Sequence, residues 1–395
     1  MTRMVTNNTK KKILIFSTAY YPFVGGAEVA IKEITERLMG SFEFDLVTAR
    51  LQKDLPSFEK IGPVNVYRLG WGHKTLDKIF LPWRGAILSW KLNNKRGYAF
   101  MWGMMATFGS GAGFIFNIAR IILGKKKIPI VLTLQEGDSE NHLLYRWGGL
   151  IALSWKLALR YTTILTAISN FLLNRALRNG FEGESYLIPN GVDIKSFTKE
   201  VGERVKSDLK MRLDKKEGDV FLVTSGRLAH KNGVDDVISA LSLLPKNISF
   251  VVVGKGEQGS RLQTQANELG VSDRVKFLGF LPYEEIPKYL SVCDIFIRAS
   301  RSEGFGNSFI EAMAAGIPVI ATPVGGIPDF IDDRETGVFC SPDNPQSIAI
   351  AVSAILNDST LKQRIVERAR SRVIERYSWD HIGSEMGEVF KKLLK

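Results

Sequence analysis

Cysteine is almost absent from this chain. Cys293 and Cys340 are the only two in 395 residues, and each lies inside an apolar, strand-like run. That argues against a disulfide framework or a cysteine metal site and fits a reducing cytoplasm. A long unbroken apolar run is missing as well. The stretch from Ala99 to Ala119 carries no charge, but Gly103, Gly109, Gly111 and Gly113 interrupt it. It therefore reads as a buried strand over 98–102 and a helix over about 112–123 rather than as a membrane span. Lys10, Lys11 and Lys12 precede only the short run ILIF, so no secretion signal is expected. Acid is scarce in one region: residues 74–127 hold ten lysines and arginines and a single acid, Asp77.

What is present describes a folded protein. With 45% apolar and 24% charged residues the composition carries no mark of disorder or of a fibrous repeat. The length exceeds one ordinary core and favours two domains. The formal charge of +12 is uneven, because residues 1–195 carry about 26 lysines and arginines against 14 acids and the remainder is balanced. An anionic partner for one domain follows, and nucleic acid is not expected, since no nucleic-acid motif accompanies the charge.

Strand-like apolar runs alternate with helical patterns twice along the chain. The first series begins at KKILIF, passes through a Gly25-Gly26 loop into a helix, and continues with strands at 45–49, 64–69, 128–134 and 164–169. After IPNGVDIKSF a polar stretch follows, and then strands at 220–225, 248–254, 274–279, 294–299 and 318–322. Helical patterns separate these at 233–244, 257–269, 283–291 and 307–315. The expected fold is α/β, with two doubly wound, Rossmann-like domains over 1–197 and 198–375. Residues 376–395 form an amphipathic helix expected to pack back on the N-terminal domain. In such sheets ligands sit beyond the carboxyl ends of strands, so the residues just after each strand carry the interest.

After the strand 220–225 the segment GRLAHKNG places Arg227 and Lys231 four apart before a helix. Two cations beside helix amides suit a diphosphate, and a solvated basic turn is the plain alternative. In SEGFGNSFIEAMAAGIPVI, Gly304 and Gly306 keep Glu303 in a loop, and Asn307 reads as the N-cap of a helix running to Gly316. Glu311 then lies one turn inside a helix that is apolar nearly all round. A buried carboxylate is costly without donors, and a ribose diol supplies two. The plain alternative is a carboxylate complementing the helix dipole.

These residues coincide with a known pattern. The chain resembles the retaining glycosyltransferases of family 4, which have the GT-B fold of two Rossmann-like domains facing a central cleft. The resemblance rests on S-x-x-EGFG-x-x-x-x-EAMA-x-G-x-PV from Ser300 to Val319, and on YYPFVGGAE, IPNGVD, SGRLAHKNG, VVVGKGE and FLGFLP, in order along nearly the whole chain. It implies that Arg227 and Lys231 hold the donor diphosphate and that Glu303 contacts the donor sugar. Glu311 would bind the ribose, with Gly306, Asn307 and Ser308 meeting phosphate and sugar. It implies further that Gly25 and Gly26 let the backbone approach the reaction centre, and that Gly254, Phe280 and Leu281 line the base.

The resemblance implies a UDP- or GDP-sugar donor, a hexose transferred with retention, and no metal or other cofactor. The acceptor expected is a glycan or a lipid-linked molecule of cell-surface polysaccharide or glycolipid synthesis. One departure touches the chemistry: a histidine frequent in the family is Gln135 here, in TLQEGD, and an amide carries neither proton nor charge. Glu136 or Asp138 are alternatives for that role, as is mere loop capping. A catalytically idle nucleotide-sugar-binding or membrane-binding subunit and a sugar-nucleotide epimerase of the same fold are the rival functions. Trp83, Trp90 and Trp102 lie among the cations of 74–127 and suit an anionic membrane surface, so the expected location is cytoplasmic and peripheral on the inner face of the plasma membrane.

Overall fold

A computed structural model describes residues 10–137 and 150–394, which fall into two compact units. The first comprises Met1–Asn190 together with Trp379–Lys395, and the second Gly191–Ser378. The sequence alone sets these boundaries at 197/198 and 375/376.

The first unit is built on an eight-stranded sheet. Its strands are β1 (Lys11–Phe16), β2 (Phe42–Ala49), β3 (Phe58–Ile61), β4 (Val64–Leu69), β5 (Phe100–Met104), β6 (Ile130–Leu134), β7 (Ile164–Ala167) and β8 (Glu184–Leu187), in the order β3-β4-β2-β1-β5-β6-β7-β8. Every neighbouring pair is parallel except β3 with β4. Both faces of the central strands are covered, which is why β1 reads as a continuous apolar run and Ile13 to Phe16 are buried. Toward the edge, β4 alternates buried and half-buried residues.

The helix Trp379–Lys392, remote in sequence, completes this core. Its Phe390 ring lies 5.8 Å from Phe42, 5.0 Å from Phe100 and 5.3 Å from Trp102, and Ile382 and Met386 are buried beside it. Trp102 is therefore a core residue, its indole N–H donating to Thr133 Oγ1 at 2.8 Å, and not the interfacial residue expected from its basic neighbours. The basic segment opens as one helix, Lys74–Arg96, which shows no clear helical pattern in the sequence. The uncharged run after it divides into β5 and the helix Gly111–Ile122, as expected.

The second unit carries a six-stranded parallel sheet: β9 (Val220–Ser225), β10 (Ile248–Val253), β11 (Val275–Gly279), β12 (Ile295–Arg298), β13 (Val319–Ala321) and β14 (Val338–Phe339), in the order β11-β10-β9-β12-β13-β14. The chain winds one way from β9 to β11 and the other way from β12 to β14. The direction reverses between β9 and β12, the position at which doubly wound sheets open a crevice beyond the strand ends.

Candidate functional site

At that reversal two loops meet. One follows β9 and carries Arg227, which is exposed, and Lys231, which is half-buried in the short turn His230–Asn232 ahead of the helix Val234–Leu241. The other follows β12 and carries Arg298, Arg301 and Glu303. The Arg301 amide donates to the Lys231 carbonyl at 2.8 Å, tying the loops at the backbone. The side chains tie them again through Arg298. Its Nη2 donates to Glu303 Oε2 at 2.5 Å and to Asn232 Oδ1 at 2.9 Å, while Nη1 donates to Ser308 Oγ at 2.8 Å. Buried Asn232 in turn donates to the Arg227 carbonyl at 2.5 Å.

Glu303 is thus not a carboxylate projecting from an open loop, as the glycines around it implied. It is 9% exposed, ion-paired to Arg298, and accepts the Gly304 amide at 3.1 Å. Gly325 lets its loop pass: with φ +59°, a Cβ there would stand 1.8 Å from the Glu303 carbonyl oxygen. Arg301 anchors the other side of the loop. It donates to the His230 carbonyl and pairs with Asp235, Asp236 and Asp343 at 2.5–2.8 Å. Burial nevertheless pushes the Asp236 carboxyl up to about 6, with Arg301 pulling the other way.

The helix Asn307–Ala314 begins one residue from where an Asn307 cap would place it. Gly306, at φ +101°, is the capping residue and Asn307 is the first helical residue, so the cap is a residue without a side chain. Its leading amides, of Asn307 and Ser308, face the loop, the arrangement that receives a phosphate or a sugar oxygen. Glu311 lies one turn in and is half-buried. The Tyr283 hydroxyl donates to it, and Arg298 acts on it electrostatically. Both favour the charged form, yet burial outweighs them and pushes its pKa up to about 7.

The base-lining residues expected from the sequence follow the neighbouring strands. Gly254, after β10, has φ +136°, and a Cβ on it would stand 1.8 Å from the Gly226 carbonyl oxygen. Exposed Phe280 and half-buried Leu281 follow β11 and lead into Tyr283, whose ring packs on Phe197 at 5.5 Å. The structure thus gathers Arg227, Lys231, Gly254, Phe280, Leu281, Glu303, Gly306, Asn307, Ser308 and Glu311 in the loops beyond the carboxyl ends of β9 to β12 and the helix those loops lead into.

Gly25, Gly26 and Gln135 belong to the first unit, on loops beyond the carboxyl ends of β1 and β6. Gly25 caps the helix Gly26–Leu38, and its amide is met by buried Glu28, whose pKa burial raises. Gln135 is paired with Asn190 of the IPNGVD segment, Nε2 to Oδ1 at 3.1 Å and the reverse at 3.3 Å. Glu136 is buried and accepts the amides of Ala106 and of Gln135, which is the loop-capping alternative. Asp138 lies outside the described residues. Sequence reasoning missed Arg298, Asn232 and Tyr283. Only Arg298 left a signal, as the one charge in the strand IFIR.

Two units, each a doubly wound α/β domain with its polar loops at the carboxyl edge of the sheet, define the GT-B class of fold. Solved structures agree. The chain superposes on sucrose-phosphate synthase from Thermosynechococcus elongatus with a TM-score of 0.82 over 98% of this chain and 99% of that one, at 22% identity. It superposes on Anabaena HepE, solved in complex with UDP-glucose, with a TM-score of 0.77 over 96% and 99%, also at 22% identity. In sequence it is 27% identical to an uncharacterized glycosyltransferase of Methanocaldococcus jannaschii over 96% of this chain and 98% of that protein. Residues 205–372, almost the whole second unit, match the family Glycosyl transferases group 1, so the chain carries a glycosyl transferases group 1 domain.

Proposed function

We propose that this protein is a retaining glycosyltransferase of family 4 that moves a hexose from a UDP- or GDP-sugar to a glycan or lipid-linked acceptor, without a metal, in cell-surface polysaccharide or glycolipid synthesis. The observation that carries the reading is the single network joining Asn232, Arg298, Glu303 and Ser308 beside a helix N-terminus capped only by Gly306, with the diphosphate candidates Arg227 and Lys231 on the adjoining loop. A nucleotide-sugar has an anion and a polyhydroxyl group at opposite ends, and this arrangement answers both.

Arg227 and Lys231, with the leading amides of Asn307 and Ser308, stabilise the charge that grows on the diphosphate as the glycosidic bond breaks. Glu303, oriented by its ion pair with Arg298, accepts from donor-sugar hydroxyls. Glu311 accepts from the ribose diol, and Gly254, Phe280 and Leu281 border the base. The acceptor oxygen attacks the anomeric carbon on the face the diphosphate leaves, the carbon–phosphate-oxygen bond breaks, and a departing phosphate oxygen takes the acceptor proton. That route asks no imidazole of Gln135, whose part is then a hydrogen bond to a sugar hydroxyl through the amide that Asn190 positions.

A donor screen tests the reading: UDP-, GDP- and ADP-hexoses are incubated with the protein and followed by hydrolysis and thermal shift. One donor class is expected to raise the melting temperature and to be slowly hydrolysed. An idle subunit, the reading that an amide at Gln135 favours, would show the shift without hydrolysis or transfer; no shift with any donor rejects both readings.

A further inference from the structure

The helix Lys74–Arg96 turns one face to the core and a second, apolar face outward. Asp77, Leu81, Gly85, Ala86, Ser89 and Leu92 are buried. Leu76, Phe80, Trp83 and Ile87 are exposed, the last two at 61% each. At one residue per 100° these four fall within roughly 60° of one another, a stripe directed away from the core. A soluble surface scatters exposed apolar side chains singly, so a stripe of four needs an occupant.

The neighbouring helix Gly111–Ile122 packs against this one, close enough that a Cβ on Gly85 would stand 2.6 Å from Ala112 Cβ. It ends in exposed Ile121, Ile122 and Leu123, and exposed Lys125, Lys126 and Lys127 follow. Charge selects the occupant. The one acid of the region, Asp77, is buried and accepts the amides of Trp71, Gly72 and His73, so it presents no charge outward. Arg96 is withdrawn in the other sense, paired with Glu43 and Asp45. Lys91 and Lys95 stay exposed along the flank of the stripe, Arg84 lies over the exposed Trp71 ring at 4.3 Å, and Lys125 over Trp90 at 4.6 Å.

We propose that this face of the first unit docks on an anionic lipid surface. Leu76, Phe80, Trp83 and Ile87 enter the headgroup layer with the helix lying in its plane, and Lys91, Lys95 and Lys125–Lys127 meet the lipid phosphates. Among the described residues no helix is long and apolar enough to cross a membrane, and docking of this kind requires none. The inference deepens the lipid-linked acceptor reading and rests on it for what the docking serves, but it is tested without catalysis.

The test is sedimentation of the full chain with vesicles of phosphatidylcholine, with and without phosphatidylglycerol, at low and high salt. Co-sedimentation with the anionic vesicles is expected, falling more than ten-fold in high salt or without the anionic lipid. Trp83→Glu with Ile87→Glu is expected to abolish it, and Lys91→Glu with Lys95→Glu to reduce it by at least ten-fold at low salt. Because all four side chains are exposed, both variants should keep the wild-type melting temperature and its shift by donor, which reports separately on glycosyl transfer. Phe80→Ser gives a milder change of the same face. Wild-type protein left in the supernatant at low salt overturns the proposal, as does unchanged binding of the Trp83/Ile87 variant. A dimer that this variant loses, with no vesicle binding by wild type, would assign the face to a second copy of the chain instead.

Discussion

Arg298 and Glu311 show how single residues set the chemistry of the second unit. Arg298 gives three hydrogen bonds, to Glu303, Asn232 and Ser308, and acts electrostatically on Glu311. It is a positioning residue, so Arg298→Leu is expected to lower kcat by about 100-fold or more, with a smaller change in KM, as Glu303 loses the cation that orients it. A second readout separates this from general damage: loss of a cation near Glu311 moves the pH midpoint of donor affinity upward. Arg298→Lys, which keeps the charge but not the fork, should restore the midpoint better than it restores kcat. Glu311 itself titrates at about 7. If its ionised form accepts from the ribose, donor affinity falls as pH drops below 7, and Glu311→Gln abolishes both the affinity and its pH dependence. Stability runs the other way. A carboxyl whose folded pKa is raised favours the fold fully below the ordinary carboxylate range and loses that contribution as pH rises through 7. The Gln variant is therefore expected to melt above wild type at pH 8 and close to it at pH 4, as thermal unfolding at the two pH values will show.

At the scale of elements, what could be read in the sequence follows burial. The strands of both sheet centres, β1, β9, β10 and β12, are apolar runs because both their faces are covered, and their positions were legible to within a residue or two. Strands β3 (FEKI) and β8 (ESYL) were not, being four-residue edge strands with scarcely a buried side chain. The helix Lys74–Arg96 was hidden for a different reason: its outward face is apolar and basic, so the helical period of its buried face has no polar background, and Pro82 lies within it. The GFGNSFIEAMA helix was legible, but its first turn was not, because Gly306 takes the capping place that the side chain of Asn307 suggested. The start of Lys74–Arg96 depends on Asp77, which holds three consecutive amides ahead of it. Asp77→Ala leaves those part-buried donors without their acceptor and is expected to cost about 1–2 kcal/mol, read as a lower denaturation midpoint without change in donor binding.

On the scale of the whole molecule, the chain leaves its first unit at Asn190, builds the second, and returns at Trp379. The returning helix carries no part of the proposed donor chemistry, yet it supplies Trp379, Ile382, Met386, Val389 and Phe390 to the first unit's core. An amphipathic pattern at the end of a chain shows that a helix needs a partner but not which one, since its register against β2 and β5 is set by ring packing of Phe390 on Phe42, Phe100 and Trp102. Cutting the chain after Ser378 should therefore damage the unit at the other end of the sequence. Hydrogen exchange on such a truncation is expected to show β1, β2 and β5 losing protection while β9 to β13 keep theirs, and titration with the nucleoside diphosphate of whichever donor the screen selects to show binding by the second unit retained. Phe390→Ala is the gentler form of the experiment, removing one buried ring at about 3–5 kcal/mol from the first unit alone. If instead both units lost protection together, the two would unfold as one cooperative block, and the returning helix would stabilise more than the core it completes.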